Sequence, residues 1–156
     1  MTIKLTRQQL ELLNLTDEVN WDLFVTLTFN SQRTMLQASK TLSSFFRHVE
    51  RACFGRQANA MRLIRLPVIE HSAEATHFHI VMIKPADKKY AEFRDLLSKK
   101  WKKLSGAGWS NLRANGEWYK PIKATTEDRE KTINYITKYV NSSFETVDFE
   151  NTTITN

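Results

Sequence analysis

The amino-acid sequence predicts an α+β domain, with a central antiparallel sheet and helices packed mainly on one face. The run at 21–29 is rich in β-branched and aromatic residues, as strands are. Residues 61–84 are typical of two strands folded back around a short polar turn. Apolar residues recur at helical spacing at 33–54 and again at 87–104. With a further strand and helix after them, this order favours helices on one face of the sheet and leaves the other face free for a ligand.

The composition indicates a packed domain that binds a polyanion. The 156 residues are 41% hydrophobic, and a net charge of +6 favours a partner such as nucleic acid. Cys53 is the single cysteine, so no internal disulfide forms, and the sequence shows neither a secretory signal nor a membrane-length apolar run. These features predict a cytoplasmic protein that does not enter a membrane.

The chain divides into three segments. Residues 1–20 are polar and weakly helical, which predicts an N-terminal arm or short helix. Residues 21–143 carry the strand and helix patterns and form the domain. Residues 144–156 are polar and rich in threonine, which predicts a flexible C-terminal tail.

The first strand and the first helix are predicted from their periods. In the strand at 21–29, Val25, Leu27 and Phe29 form the surer core face. The first helix ends at Gly55, a residue that commonly terminates helices. Its predicted core stripe consists of Met35, Ala38, Leu42, Phe45, Phe46, Val49 and Cys53.

The second helix opens at Pro85 and Asp87 and combines a core stripe with many lysines. The lysines are typical of a solvated face, although a phosphate backbone also attracts such a face. The stripe consists of Tyr90, Phe93, Leu96, Leu97, Trp101 and Leu104.

The predicted hairpin carries the most informative residues. Successive side chains of a strand point to opposite faces, so His77 and His79 share one face while Phe78 points into the core. With the turn centred on Ala73-Glu74, Glu70 lies directly opposite His77 and on the same face. Two imidazoles and a carboxylate then converge, which suits a divalent ion used in catalysis.

Other interpretations of the hairpin stay open. A lone His-x-His in an apolar strand is more often a pair of half-buried structural histidines. A zinc hydrolase that adds His71 to the two histidines is less favoured, because alternation turns His71 away from them. Pro67 predicts that the first hairpin strand is an edge strand or contains a bulge.

Residues 109–124 predict one or two strands around Asn115-Gly116, a strong hairpin signal. Trp118, Lys120 and Lys123 combine a stacking surface with positive charge, which suits binding of single-stranded DNA. Exposed aromatic residues are also common on ordinary sheets, so a purely structural strand is the alternative.

The last helix is predicted at 125–141 and presents two tyrosines. At 3.6 residues per turn, Tyr135, Lys138 and Tyr139 cluster opposite the isoleucine and valine face. Both phenols and the ammonium group then reach one reacting centre. The alternative is a tyrosine pair on a surface helix beside a solvated lysine.

Together the hairpin and the last helix predict attack on a phosphodiester. A phenol, with a pKa of about 10, is a weak nucleophile near neutral pH. A metal that polarises the phosphate oxygens and a cation that steadies developing charge make it useful. The products are a phosphotyrosine ester and a free 3′-hydroxyl, and rejoining needs no nucleotide. The sequence contains no Gly-rich phosphate loop, so the chain is not expected to hydrolyse nucleotides.

These motifs resemble those of the HUH endonucleases. The His-Phe-His at 77–79 resembles their His-hydrophobic-His motif, and the Tyr-x-x-Lys-Tyr at 135–139 resembles the two-tyrosine motif of rolling-circle replication initiators from single-stranded DNA phages. Residues 24–29 are similar to their first motif, a structural strand. The tyrosines come last, as in replication initiators, whereas conjugative relaxases place the tyrosine before the histidines. The resemblance spans residues 21–141.

The resemblance implies an RRM-like or ferredoxin-like HUH nuclease domain and a role for each motif. Glu70, His77 and His79 would bind Mg²⁺ or Mn²⁺. Tyr135 and Tyr139 would act as alternating nucleophiles. The implied partners are single-stranded DNA at a replication origin and a separate helicase, in a bacterial or phage-infected cell.

Lys138 would orient the phosphate or the metal, and the sequence departs from the family pattern beyond it. Related motifs often carry a further lysine three residues after the second tyrosine, where this chain has Ser142. A mechanism with Tyr135 as the single nucleophile therefore stays open.

The leading hypothesis is a metal-dependent, site-specific nicking and joining endonuclease that acts on single-stranded DNA through a 5′-phosphotyrosine intermediate and initiates rolling-circle replication of a phage or plasmid. One alternative is an HUH transposase, which shares the chemistry and which genomic neighbours would distinguish. The other is a non-catalytic domain that binds single-stranded nucleic acid, which predicts binding that a chelator does not alter.

Overall fold

The computed structural model describes residues 18–29, 31–71, 76–105, 118–122, 127, 130–131 and 145–154. Most of the predicted N-terminal arm lies outside the described residues, and so does most of the predicted last helix. Of that helix the structure describes Glu127, Glu130 and Lys131, which are helical.

Five antiparallel strands form one sheet, which confirms the predicted α+β class with a central antiparallel sheet. The strands are β1 (Leu23–Thr28), β2 (Arg65–His71), β3 (Thr76–Met82), β4 (Tyr119–Pro121) and β5 (Glu145–Val147). They lie in the order β4-β1-β3-β2-β5 across the sheet. Each edge strand has three residues, so little backbone is left unpaired at either side.

Two helices, α1 (Met35–Phe54) and α2 (Tyr90–Ser105), confirm the two predicted helices. At the start of α1 the Thr34 hydroxyl accepts a hydrogen bond from the Gln37 backbone N–H, and the Gln37 side chain accepts one from the Thr34 N–H. Gly55 ends α1 with a φ of 56°, a left-handed conformation that glycine adopts without strain.

Both helices pack on the same face of the sheet, as the sequence predicts. Val25 and Leu27 of β1 and Phe78 and Ile80 of β3 lie in one buried cluster with the helices. The helices contribute Ala38, Leu42, Phe45, Phe46, Val49, Phe93, Leu97 and Trp101 to it. Met35 was expected in this core, but its side chain is 43% exposed because the buried stripe of α1 begins one turn later.

The opposite face of the sheet is only partly free. A smaller buried cluster covers one part of it with side chains from β2, β3, β5 and the two ends of the described chain. Its members are Trp21, Leu66, Val68, Val81, Val147 and Ile154. The polar side chains of this face therefore lie beside an apolar patch.

The hairpin register agrees with the prediction residue by residue. Glu70 pairs with His77, and Ile69 pairs with Phe78. Pro67 does not mark an edge strand, because β2 lies between β3 and β5. The Pro67 carbonyl accepts a hydrogen bond from the Asp148 N–H, so its N–H-less nitrogen also faces the end of β5, where the pairing stops, and the ladder to β3 is complete.

The predicted flexible tail at 144–156 is wrong for residues 145–154. This segment adds β5 to the sheet and then forms a short 3₁₀ turn, Phe149–Asn151. The Asp148 carboxylate accepts hydrogen bonds from the Ser39 hydroxyl and the Asn151 amide, which tie the segment to α1. The threonine-rich composition suggested solvent exposure, but long-range pairing with β2 decides the structure.

A buried ion pair joins α1 to the start of β2. The Arg65 guanidinium donates to the Glu50 carboxylate at 2.7 Å and to the Asn151 carbonyl at 2.8 Å. Its planar group lies 4.2 Å from the centre of the Phe46 ring. Burial lowers the pKa of Arg65, although the Glu50 charge acts against that shift. The Glu50 carboxylate also accepts from the Leu63 N–H, so the pair is satisfied on several sides.

We predict that Arg65→Met strongly destabilises the fold, because it leaves Glu50 as an uncompensated buried charge. The free energy of unfolding, measured by urea denaturation, should fall by about 3–5 kcal/mol. Arg62→Met is the matched control: Arg62 lies 3.6 Å from the same carboxylate, but its side chain is 53% exposed. Its loss should stay below about 1 kcal/mol. Equal losses for the two variants would contradict the assignment.

Candidate metal centre

Three polar side chains meet on the sheet face opposite the helices. His77 and His79 lie two residues apart on β3, and Phe78 between them is fully buried in the helix-side core. Cross-strand pairing puts Glu70 of β2 beside His77. The core thus fixes which way the histidines face, since Phe78 has to point to the helices.

The three side chains are in direct contact. One Glu70 carboxylate oxygen, Oε2, lies 2.8 Å from His77 Nε2 and 2.9 Å from His79 Nε2. The two imidazole rings are nearly perpendicular, with centres 4.9 Å apart. The side chains of His77, His79 and Glu70 are 24%, 14% and 31% exposed. The cluster is therefore held rigidly and still reachable from solvent.

The environment favours an ionised carboxylate beside a neutral imidazole. Burial raises the pKa of Glu70, but hydrogen bonds and charge from His79 and His77 outweigh it, and the pKa lies below its ordinary value. Burial lowers the pKa of His79 and the neighbouring His77 adds to this, whereas contact with Glu70 acts in the opposite direction. A carboxylate and a neutral imidazole are the protonation states that ligate metals.

These residues fit a divalent metal ion. The candidate ligand atoms of Glu70, His77 and His79 all lie within 4.8 Å of one another, and among the described residues they form the one such group. Two nitrogens and one oxygen on one side leave positions open for water or substrate. The donor set admits several divalent ions and does not select among them.

Strand β1 supplies a second layer of contacts that the sequence interpretation missed. The Thr26 hydroxyl lies 3.3 Å from His79 Nδ1, and the Phe24 ring stacks on the His79 ring at 5.9 Å between centres. The sequence had marked residues 24–29 only as a structural strand. The available signal was the alternation itself, since Phe24, Thr26 and Thr28 share the face that the core does not use.

The other predicted site residues are placed less completely. Tyr135, Lys138, Tyr139 and Lys123 lie outside the described residues. Lys120 of β4 is exposed, whereas Trp118 is 8% exposed and packs in the helix-side core. The DNA-binding roles of Trp118 and Lys120 stay predictions, and the described position of the Trp118 ring offers little surface for stacking.

The remaining described histidine, His48, lies apart from the cluster. Its Nδ1 is 2.7 Å from the Ser44 carbonyl, one turn earlier in α1. It is a helix-surface histidine, as the sequence predicts, and serves as a control for the metal centre.

Comparison with known protein families decides which family this is. The family model of the replication-associated protein ORF2 matches residues 22–144 of the 156. The chain belongs to this family of replication-associated proteins. The match contains the metal-centre residues and the tyrosine motif at 135–139. Searches among curated proteins and among solved structures gave no match.

Membership in the replication-associated protein family indicates a role in replication, with DNA as the partner. None of the helices in the described part of the chain is long and apolar enough to cross a membrane.

We predict that Mn²⁺ stabilises the protein through the three side chains. At a concentration of about 100 times the dissociation constant, an ion that binds only the folded state adds about 2.7 kcal/mol to the free energy of unfolding. His77→Ala should lose this gain, and EDTA should reverse it in the unmodified protein. Thermal unfolding with and without the ion measures both effects.

His48→Ala is the control for this measurement and should keep the full gain, because the His48 ring bonds to a carbonyl of its own helix and lies outside the cluster. A gain that survives His77→Ala would show that Mn²⁺ binds elsewhere.

Proposed function

We propose that this protein is a metal-dependent, site-specific endonuclease that nicks and rejoins single-stranded DNA and initiates rolling-circle replication of a phage or plasmid. The observation that carries the proposal is the Glu70, His77 and His79 cluster on a solvent-accessible sheet face. Family membership supports the replication role. The tyrosine pair at 135–139, known from the sequence, supplies the nucleophile.

The metal centre accounts for activation of the phosphate. Glu70, His77 and His79 would hold Mg²⁺ or Mn²⁺, which supplies Lewis-acid polarisation of a phosphodiester oxygen. The chain's own residues fix the rest: three ligands lie on two adjacent strands of a packed sheet, so their relative positions change little when the substrate enters.

The strand transfer itself is assigned to a tyrosine. The oxygen of the Tyr135 phenol attacks phosphorus and loses its proton to solvent. The bond from phosphorus to the 3′-oxygen breaks, and that oxygen gains a proton to become a 3′-hydroxyl. The DNA 5′ end stays joined to the protein as a phosphotyrosine ester, which keeps the bond energy for rejoining.

Lys138 and Tyr139 complete the proposed site. A lysine three residues from Tyr135 on a helix lies on the same face, where its charge offsets the negative charge that develops on phosphate. Tyr139 provides a second phenol one turn from the first. Alternating use of two phenols allows one to cut the origin and the other to resolve the circle.

The proposed setting is the cytoplasm of a bacterial or phage-infected cell, with a separate helicase. The sequence lacks the Gly-rich loop and lysine with which nucleotide-driven motors bind phosphate. Strand separation at the origin is therefore assigned to another protein.

Two further functions share part of this description. A transposase of the same superfamily uses the same chemistry, and membership in a replication-associated family favours replication. A non-catalytic binder of single-stranded nucleic acid needs stacking surfaces, and the buried Trp118 ring supports this alternative poorly.

The test is a covalent adduct between the protein and an origin oligonucleotide. With Mn²⁺, a labelled single strand from a mapped phage or plasmid origin should give a band on a denaturing gel that carries both label and protein. EDTA should abolish it, and so should Tyr135→Phe if Tyr135 is the only first nucleophile. Loss of a general metal-activated nucleophile should reduce the rate by at least about 100-fold.

The variants at the two tyrosines separate the mechanisms. An adduct retained in Tyr139→Phe, with loss of the second cleavage, indicates alternating nucleophiles. An adduct that persists in the double variant Tyr135→Phe, Tyr139→Phe would falsify the nucleophile assignment. Chelator-insensitive binding without any adduct would instead favour the non-catalytic binder.

A further inference from the structure

The strand that precedes the metal centre in the chain contacts one of its candidate ligands. Thr26 pairs with His79 across β1 and β3, and its hydroxyl lies 3.3 Å from His79 Nδ1. The backbone N–H of Thr26 donates to the Trp118 carbonyl at 2.8 Å, at the entry to β4. Thr26 is thus held between two neighbouring strands, and its hydroxyl has a fixed place behind the imidazole.

The two nitrogens of His79 have different partners. Nε2 lies 2.9 Å from the Glu70 carboxylate, which when ionised only accepts hydrogen bonds, so Nε2 carries the proton in this arrangement. To ligate a metal through Nε2, the neutral ring has to carry its proton on Nδ1 instead. The Thr26 hydroxyl is the group next to Nδ1, and a hydroxyl can both donate and accept.

We propose that Thr26 is a positioning residue of the metal centre, whose hydroxyl accepts the Nδ1–H of His79 and so holds the ring in the tautomer that presents Nε2 to the ion. In the ion-free state the same hydroxyl donates to Nδ1. One side chain therefore serves both states without moving the ring. This gives the Val-Thr-Leu-Thr strand, which the sequence marked only as structural, a role at the site.

This inference deepens the proposed function and rests on its metal centre, not on the tyrosine chemistry. Residues that hydrogen-bond the second nitrogen of a ligating histidine commonly contribute about 10–100-fold to metal affinity. The effect is thus large enough to measure in the protein without any DNA.

Thr28 provides a matched comparison on the same strand. It has the same side chain, lies two residues further along on the same sheet face, and pairs with His77. Its hydroxyl oxygen is buried and has no hydrogen-bond partner within the described part of the chain. Replacing Thr28 by valine therefore removes a hydroxyl that contacts no candidate ligand, whereas the same change at Thr26 removes one that does.

The experiment measures Mn²⁺ affinity by isothermal titration calorimetry in four proteins: unmodified, Thr26→Val, Thr26→Ser and Thr28→Val. Valine keeps the β-branched shape of threonine, so a merely structural role predicts no change. We expect Thr26→Val to bind Mn²⁺ about 10–100-fold more weakly, with affinity restored in Thr26→Ser and unchanged in Thr28→Val.

A second readout follows the ring directly. In protein labelled with ¹⁵N-histidine, long-range ¹H–¹⁵N spectra report which nitrogen of His79 carries the proton. Addition of Mg²⁺ to the unmodified protein should move the proton from Nε2 to Nδ1. This measurement decides the question even if Thr26→Val fails to fold.

The outcomes separate this inference from the proposed function. Equal Mn²⁺ affinity in Thr26→Val and the unmodified protein overturns the role of Thr26 and leaves the metal centre intact. Equal losses in Thr26→Val and Thr28→Val, or a proton that stays on Nε2 when Mg²⁺ binds, also overturn it. Absence of Mn²⁺ binding in the unmodified protein overturns both, whereas weak binding in Thr26→Val without any DNA adduct overturns only the tyrosine chemistry.

Discussion

The pairing register of β2 with β3 determines the position of every ligand in the candidate metal centre. Side chains alternate along a strand, so a slip of one residue would turn Glu70 to the opposite face from His77. The same slip would bring apolar side chains such as Ile69 out of the helix-side core. The hydrophobic contacts that stabilise the fold therefore also hold the polar cluster together, although they lie on the other side of the sheet.

The ligand strands are internal, which makes the site rigid. β3 is bounded by β1 and β2, and β2 is bounded in turn by β3 and β5. The C-terminal segment is essential to this arrangement, since β5 covers β2 and the Asn151 carbonyl accepts a hydrogen bond from Arg65 at the start of β2. The buried pair of Arg65 with Glu50 then links β2 to α1. A segment remote in sequence thus supports the strand that carries Glu70.

A metal site needs its ligands oriented as well as close, and the sheet supplies both. Neighbouring strands place Glu70 and Thr26 on either side of His79, one at each ring nitrogen. The Phe24 ring adds a stacking contact that limits rotation of the imidazole. Such outer contacts fix the tautomer and direction of a ligating histidine. In a replication-associated protein they connect the proposed chemistry of phosphodiester transfer to an ordinary strand.

The sequence by itself determined the parts of this protein that depend on short-range periodicity. The two helices, the first strand, the hairpin and its register follow from spacings of two and of 3.6 residues, and with them the convergence of Glu70, His77 and His79. The tyrosine motif is likewise a sequence observation, since it lies outside the described residues. Only the tertiary structure decided the contacts between distant segments: β5 from a polar C-terminal stretch, the burial of Trp118, and the Thr26 hydroxyl behind His79. The physical reason is that these contacts depend on which strand becomes the neighbour of another, and no local pattern specifies that choice.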